Sequence, residues 1–156
     1  MERADKTSRI LDVKYYTLLP SVEDVGTPID DLQWSAVLRS VGGFEMYRKR
    51  HHGITPKRVV GYLVLDRVFP RAVMHCVNTA DRSLHAISGS PEGTFWNVAD
   101  KRLGQHRSEL AYSTVDEIIS TGLHEFLDSL QTQLNGVGEG IHNTFIAIEP
   151  DAQVVG

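Results

Sequence analysis

The positions from Val59 to Phe69 are apolar on almost every side: Val59, Val60, Tyr62, Leu63, Val64, Leu65, Val68 and Phe69. A helix that is apolar all round is a buried helix. The run to Asp66 is about ten residues, and a bilayer crossing takes roughly 20. Pro70 stands where the helix would otherwise continue. An interior proline costs about 3 kcal/mol or more, so a kink or break is expected between Asp66 and Pro70. Asp66 and Arg67 are placed to satisfy the backbone groups freed there. Beyond it, Val73, Val77, Ala80, Leu84 and Ile87 recur at steps of four and three, one helical stripe. His75, Asn78, Asp81, Arg82 and His85 lie on the other face. One fully buried and one half-buried element therefore form the centre that the remaining chain must cover.

The flanking segments also read as helices. Glu2–Leu19 opens with acid-before-base pairs at i, i+4, Glu2 with Lys6 and Asp5 with Arg9, each worth about 0.2–0.5 kcal/mol. Its first half is polar. Its second half, with Ile10, Leu11, Val13, Tyr15, Tyr16, Leu18 and Leu19, is enclosed, and Pro20 ends it. Ser21–Pro28 reads as a loop. Asp30 or Asp31 caps a second helix to about Val41, with Leu32, Trp34, Val37 and Leu38 inward and Gly42-Gly43 as its stop. Phe44–His51 is a short helix whose basic end, Arg48 to His52, suits a helix C-terminus better than a phosphate site. Thr55-Pro56 starts the central helix. Gly89, Pro91 and Gly93 mark a loop. Phe95–Tyr112 follows with Trp96, Ala99, Leu103 and Leu110 inward.

Thr114 and Glu117 form a capping box. Behind it, Leu123, Leu127, Leu130, Leu134, Val137, Ile141 and Phe145 hold helical spacing through Gly136, Gly138 and Gly140. Three interior glycines cost roughly 3 kcal/mol against alanine. The preserved register favours one long, locally weak helix to about Ile148. Residues 149–156 lack periodicity and read as a disordered tail. No strand alternation exceeds four residues. The fold expected is all-α, a bundle of six to eight helices in a single domain over residues 1–148.

Length and charge narrow the classes further. The 156 residues suit one domain that needs no disulfide or metal to fold. A net charge of −4 argues against a nucleic-acid footprint. Cys76 is the one cysteine, and beside an apolar stripe it reads as a small buried hydrophobe. No signal-peptide pattern is present, and a cytoplasmic protein is expected. Glu139 and His142 have the Glu-x-x-His spacing of two-iron bundles, but no second copy exists. His124 and Asp128 are two ligands, not a site. Gly136-x-Gly138-x-Gly140 follows no strand, so it is no dinucleotide fingerprint. His75, His85 and His106 read as histidines on solvated or hydrogen-bonded faces. No metal and no cofactor is expected, and no catalytic set can be assigned.

The opening residues Glu2-Arg3-Ala4-Asp5-Lys6-Thr7-Ser8-Arg9-Ile10-Leu11-Asp12 resemble the hallmark ERAxxTARxLD of the alpha-E domain family, a bacterial helical family with a Glu-Arg motif. Ser8 stands where the family usually has alanine. The resemblance continues through Leu18-Leu19-Pro20, Gln33-Trp34, Leu38-Arg39-Ser40, the run Leu63–Cys76 with Asp66-Arg67-Val68-Phe69-Pro70-Arg71, Leu103-Gly104, Gly122–Leu127 and Ile141–Phe145. Members are typically about twice this length, and the chain resembles their C-terminal half. The resemblance thus implies that it begins inside a helix whose earlier turns precede Met1, as in a truncated frame, a fragment or a split protein. It also implies partners: a circularly permuted ATP-grasp ligase and a transglutaminase-like peptidase, acting on amide bonds of small peptides.

Three functions remain open at this point. The chain is a binding or accessory module, with Arg3 as bidentate anchor for a carboxylate and Glu2 orienting it or meeting an amine. It is an enzyme with Glu2 as acid/base. Or it is a structural assembly unit in which the Glu-Arg pair is an interhelical ion pair. The candidate binding residues are Glu2, Arg3 and Arg9. The apolar second half of the first helix further predicts a homodimer through Glu2–Leu19, or a separately encoded N-terminal half.

Overall fold

The computed structural model describes residues 1–18 and 28–147, with side chains described for 1–13 and 28–147. The expected stop at Pro20, the loop after it, the enclosure by Tyr15, Tyr16, Leu18 and Leu19, and the tail at 149–156 lie outside the described residues. Within them the chain is all-helical: α1 Glu2–Leu18, α2 Pro28–Ser40, α3 Phe44–Arg50, α4 Pro56–Leu65, α5 Val73–Ser88, α6 Val98–Tyr112, α7 Val115–Thr121 and α8 Leu123–Ile141, which runs into a π-helical turn, His142–Ile146. No helix of the described residues is long and apolar enough to cross a membrane.

Four helices close a ring: α1 packs on α5, α5 on α6, α6 on α8 and α8 on α1. That is a four-helix bundle. α4 packs on α5 and α7, and α2 reaches α1, α3 and α4. The ring is tight on the α1 side because the inward stripe there is Ala4, Thr7, Ser8 and Leu11, all buried and mostly small. So the first half of α1 is not merely polar; it carries a narrow inner face. Thr7 Oγ1 donates to the Arg71 carbonyl at 2.8 Å and fixes α1 to the α4–α5 connection. Val13, expected inside, is 63% exposed.

The central helix breaks as expected. Val59, Val60, Tyr62, Leu63 and Val64 are buried, and α4 stops at Leu65. Asp66 Oδ1 accepts from the Val68 and Phe69 amides at 2.8 and 2.6 Å, while its other oxygen pairs with Arg50 at 3.0 Å. Asp66 thus meets two freed amides, and His75 Nδ1 meets the Arg67 carbonyl; the Arg67 side chain makes no hydrogen bond among the described residues. Arg71 donates to the Val41 carbonyl beyond the end of α2. The segment from Asp66 to Arg71 therefore knots four elements together. The basic end of α3 is absorbed locally, with Arg39 and Arg48 over the Phe44 ring and His51 against Tyr47.

Several expectations need correction. α2 begins at Pro28, a residue pre-set for the first helical position, so Asp30 and Asp31 sit in the first turn rather than capping it. Leu32 is 71% and Ile87 70% exposed, because each lies at the edge of its stripe and no helix of the described residues covers it. α6 starts at Val98, capped by Asn97, and Trp96 is exposed; His106 completes the inner stripe Ala99, Leu103, His106, Leu110. The long helix is two. Gly122 adopts φ +104°, a backbone that only glycine takes readily, and separates α7 from α8. α8 does continue through Gly136, Gly138 and Gly140. At Gly140 the helix lies against Ala99, where a Cβ would stand 3.4 Å from the Ala99 Cα. Beyond Ile141 the π-helical turn leaves Phe145 42% exposed.

Candidate functional site

The Glu-Arg motif opens the first turn of α1, where the helix crosses α5. Glu2 and Arg3 line a pocket of about 400 Å³ whose far wall is the α5 face His75, Cys76, Thr79 and Ser83. The two motif residues behave differently. Glu2 is exposed and bonded to Lys6 at 2.6 Å, and that hydrogen bond and charge hold its carboxyl below the usual range. It is therefore ionised at neutral pH, a form that cannot donate a proton and is a poor base. Arg3 makes no hydrogen bond or ion pair among the described residues. Its guanidinium keeps a full set of donors for something else. Arg9 is bound to Asp5 at 2.9 Å and does not line the pocket. The structure thus brings Glu2 and Arg3 to one pocket and leaves Arg9 out of it. An interhelical ion pair within the motif is absent among the described residues.

The α5 wall is polar but quiet. His75 Nδ1 lies 2.9 Å from the Arg67 carbonyl, so Nδ1 carries a proton and donates it there. The Cys76 thiol donates weakly to the Pro70 carbonyl at 3.5 Å, and burial pushes it up, away from the reactive thiolate. The expected buried, unreactive cysteine is what the structure has. Among the described residues no group of three or more His, Cys, Asp or Glu is placed to hold a metal ion. His124 pairs with Asp12 of α1 at 2.8 Å, and that bond raises its pKa.

A second polar centre was not legible in the sequence. Asp81 and His85, read as lying on the face opposite the apolar stripe, with His85 solvated or hydrogen-bonded, are buried between α5 and α6. His85 Nδ1 lies 2.7 Å from Ser90 Oγ and its Nε2 3.6 Å from Asp81. Ser90 Oγ donates to Asp100 Oδ2 at 3.0 Å, which also accepts from the Trp96 amide. Burial raises the Asp100 carboxyl, but the hydrogen bonds from Trp96, Ser90 and Asn97 outweigh it and leave the pKa lowered. The turn at Gly89, in the left-handed region, folds residues 90–97 back onto α5. The Asp81/His85 spacing at i, i+4 is the only trace of this in the sequence.

A bundle whose first helix presents Glu-Arg at an open pocket defines a helical domain organised around that motif. The family described as a predicted alpha-helical domain with a conserved ER motif matches residues 1–146, and the chain belongs to this Alpha-E family. No curated protein and no solved structure matches it.

Proposed function

We propose that this chain is a binding or accessory domain that holds the carboxylate of a small peptide at Arg3. In this reading it serves a circularly permuted ATP-grasp ligase and a transglutaminase-like peptidase that make or modify peptide amide bonds in the bacterial cytoplasm. The observation that carries the reading is the unpaired Arg3 guanidinium in a pocket of about 400 Å³. A planar fork of donors recognises a carboxylate bidentately. The ionised, Lys6-bound Glu2 favours binding over acid/base catalysis. The exposed Ile29 and Leu32 favour a cover for α2, supplied by a second copy or by a separately encoded N-terminal half.

The test compares an acetylated dipeptide with a free carboxylate against its amide, by calorimetric titration. Wild type is expected to bind the acid and not the amide. Arg3→Lys keeps the charge but loses the fork, and should weaken binding about tenfold with an unchanged melting curve. Equal affinity in the two proteins would reduce Glu2 and Arg3 to surface residues. A pull-down with the ATP-grasp ligase encoded beside it tests the partner.

A further inference from the structure

The pocket between α5, α6 and the 89–97 loop has about 400 Å³ and is lined by no residue of α1. Its lining includes Asp81, Asp100, Lys101, Gly104, Arg107 and Glu109. Each acid in it has a partner on at least one oxygen. Asp81 faces Arg107 Nε at 3.2 Å and His85 at 3.6 Å. Asp100 Oδ2 is held by Ser90 and Trp96, while its Oδ1 is buried without a hydrogen-bond partner among the described residues. Glu109 accepts from Gln133 at 2.8 Å. The cations are not engaged in the same way. Lys101 makes no ion pair among the described residues and lies 5.4 Å over the Phe95 ring. Arg107 meets Asp81 as an ion pair through Nε, which makes no hydrogen bond, and its terminal nitrogens have no partner among the described residues.

Arg107 is also held in place. Its contact, Asp81, is 3% exposed and is backed through His85 and Ser90 by buried Asp100. Buried polar residues, rather than loose solvent, thus lie behind the one carboxylate that faces this half-buried guanidinium. Gly104 is the second, independent sign. It sits inside α6, where glycine costs roughly 1 kcal/mol against alanine, yet a Cβ there would meet nothing within 4 Å. No packing demand explains the missing side chain. It leaves the helix backbone bare where the pocket opens.

From this geometry we infer a second ligand site, specific for an oxyanion: a carboxylate or phosphate group received by Arg107 and Lys101 over the bare backbone at Gly104. Phe95 supplies an apolar wall beside the charged group. A fixed guanidinium loses little freedom on binding, so its two terminal nitrogens act as a pre-set fork. The site is separate from the Arg3 pocket and does not depend on it.

The experiment titrates the full chain with potassium phosphate and, separately, with N-acetylglycine, read by calorimetry and by tryptophan fluorescence, Trp96 being next in the chain to Phe95 of the pocket lining. Wild type should saturate with at least one probe in the millimolar range or better, and the stronger of the two names the chemistry. Arg107→Gln should weaken that probe about tenfold or more. Because it also strips buried Asp81 of its counter-charge, its melting curve is recorded. The Cβ of Gly104→Leu meets nothing within 4 Å, and this variant carries the test by itself if Arg107→Gln does not fold. Built on Arg3→Gln, so that the Arg3 pocket holds no carboxylate probe, it should abolish saturation, while Arg3→Gln alone should leave it within about twofold of wild type. Absence of saturation by both probes, or binding by the double variant equal to that of Arg3→Gln, overturns the site; the Arg3 reading is decided separately, by the acetylated dipeptide and its amide. Loss of binding in Arg3→Gln would overturn the claim that the two sites are separate.

Discussion

Alanine at Gly61 and at Gly138 should change stability in different directions or by clearly different amounts, although both glycines sit inside helices. The helix gain is common to both, because alanine is favoured over glycine by about 0.5–1 kcal/mol. At Gly138 nothing lies within 4 Å of the added Cβ. The whole gain should appear, raising the melting temperature by about 2–4 °C per kcal/mol for a domain of this size. At Gly61 the added Cβ would stand 2.9 Å from Val115 Cγ2. Carbon atoms rest at about 3.5–4.0 Å. Valine is stiff at χ1, so α4 and α7 must part instead. Overpacking of this kind costs about 1–3 kcal/mol, which leaves Gly61→Ala destabilised by about 0–2 kcal/mol. The difference between the two variants, about 1–3 kcal/mol, is the packing cost itself. Urea unfolding followed by circular dichroism measures both, and an unchanged slope shows that the same surface is exposed in each. Adding Val115→Ala to Gly61→Ala should recover part of the loss through coupling of the contact pair. If Gly61→Ala stabilises as much as Gly138→Ala, α4 and α7 are not packed at this separation and the reasoning fails.

Leu63→Ala, at a side chain with no exposure, should cost about 2–5 kcal/mol in the same assay; a loss under about 0.5 kcal/mol would place α4 at the periphery rather than in the core. Two histidines should shape the pH dependence of stability in opposite senses. Burial holds His106 below its ordinary value, against the pull of Glu109 and Gln133, so its contribution is present above the unfolded value of about 6.5 and is lost as pH falls from there through the folded value. The Asp12 hydrogen bond raises His124, so its contribution is full below about 6.5 and is lost as pH rises through the folded value. Urea midpoints from about pH 5 to 8.5 should therefore peak near 6.5; His106→Gln should flatten the acid side and Asp12→Asn the alkaline side, and a curve unmoved by either would refute the assignment.

What the sequence disclosed and what it hid divide along a physical line. Local chemistry was legible. Thr55 and Thr114 cap their helices, and Glu2–Lys6 and Asp5–Arg9 pair at one turn. The stripe Leu123, Leu127, Leu130, Leu134 and Val137 faces the core. These depend on residues within one or two turns of each other. Hydrophobicity misled wherever it was asked to name a partner. Leu32, Ile87 and Trp96 are apolar yet exposed, while His106, Asp81 and His85 are polar yet buried. Apolar residues need not be inside, and a polar residue goes inside when the fold supplies partners. Gly122 was hidden for a related reason. The stripe on either side of it is apolar, Ile118 before and Leu123 after, so the pattern carries no sign of the turn that only its backbone angle reveals.

The Glu-Arg motif shows the same division within two adjacent residues. Glu2 could be assigned from the sequence, because its partner Lys6 lies one turn away and fixes it in the ionised form. Arg3 could not, because its state depends on what α5 places opposite it. That face presents His75, Cys76, Thr79 and Ser83, and not one carboxylate. A single Asp or Glu there would have closed the interhelical ion pair and made the motif a structural clasp. Its absence leaves the guanidinium with unspent donors at a pocket mouth, which is why Arg3, rather than Glu2 or Arg9, is the residue on which a binding role must stand or fall.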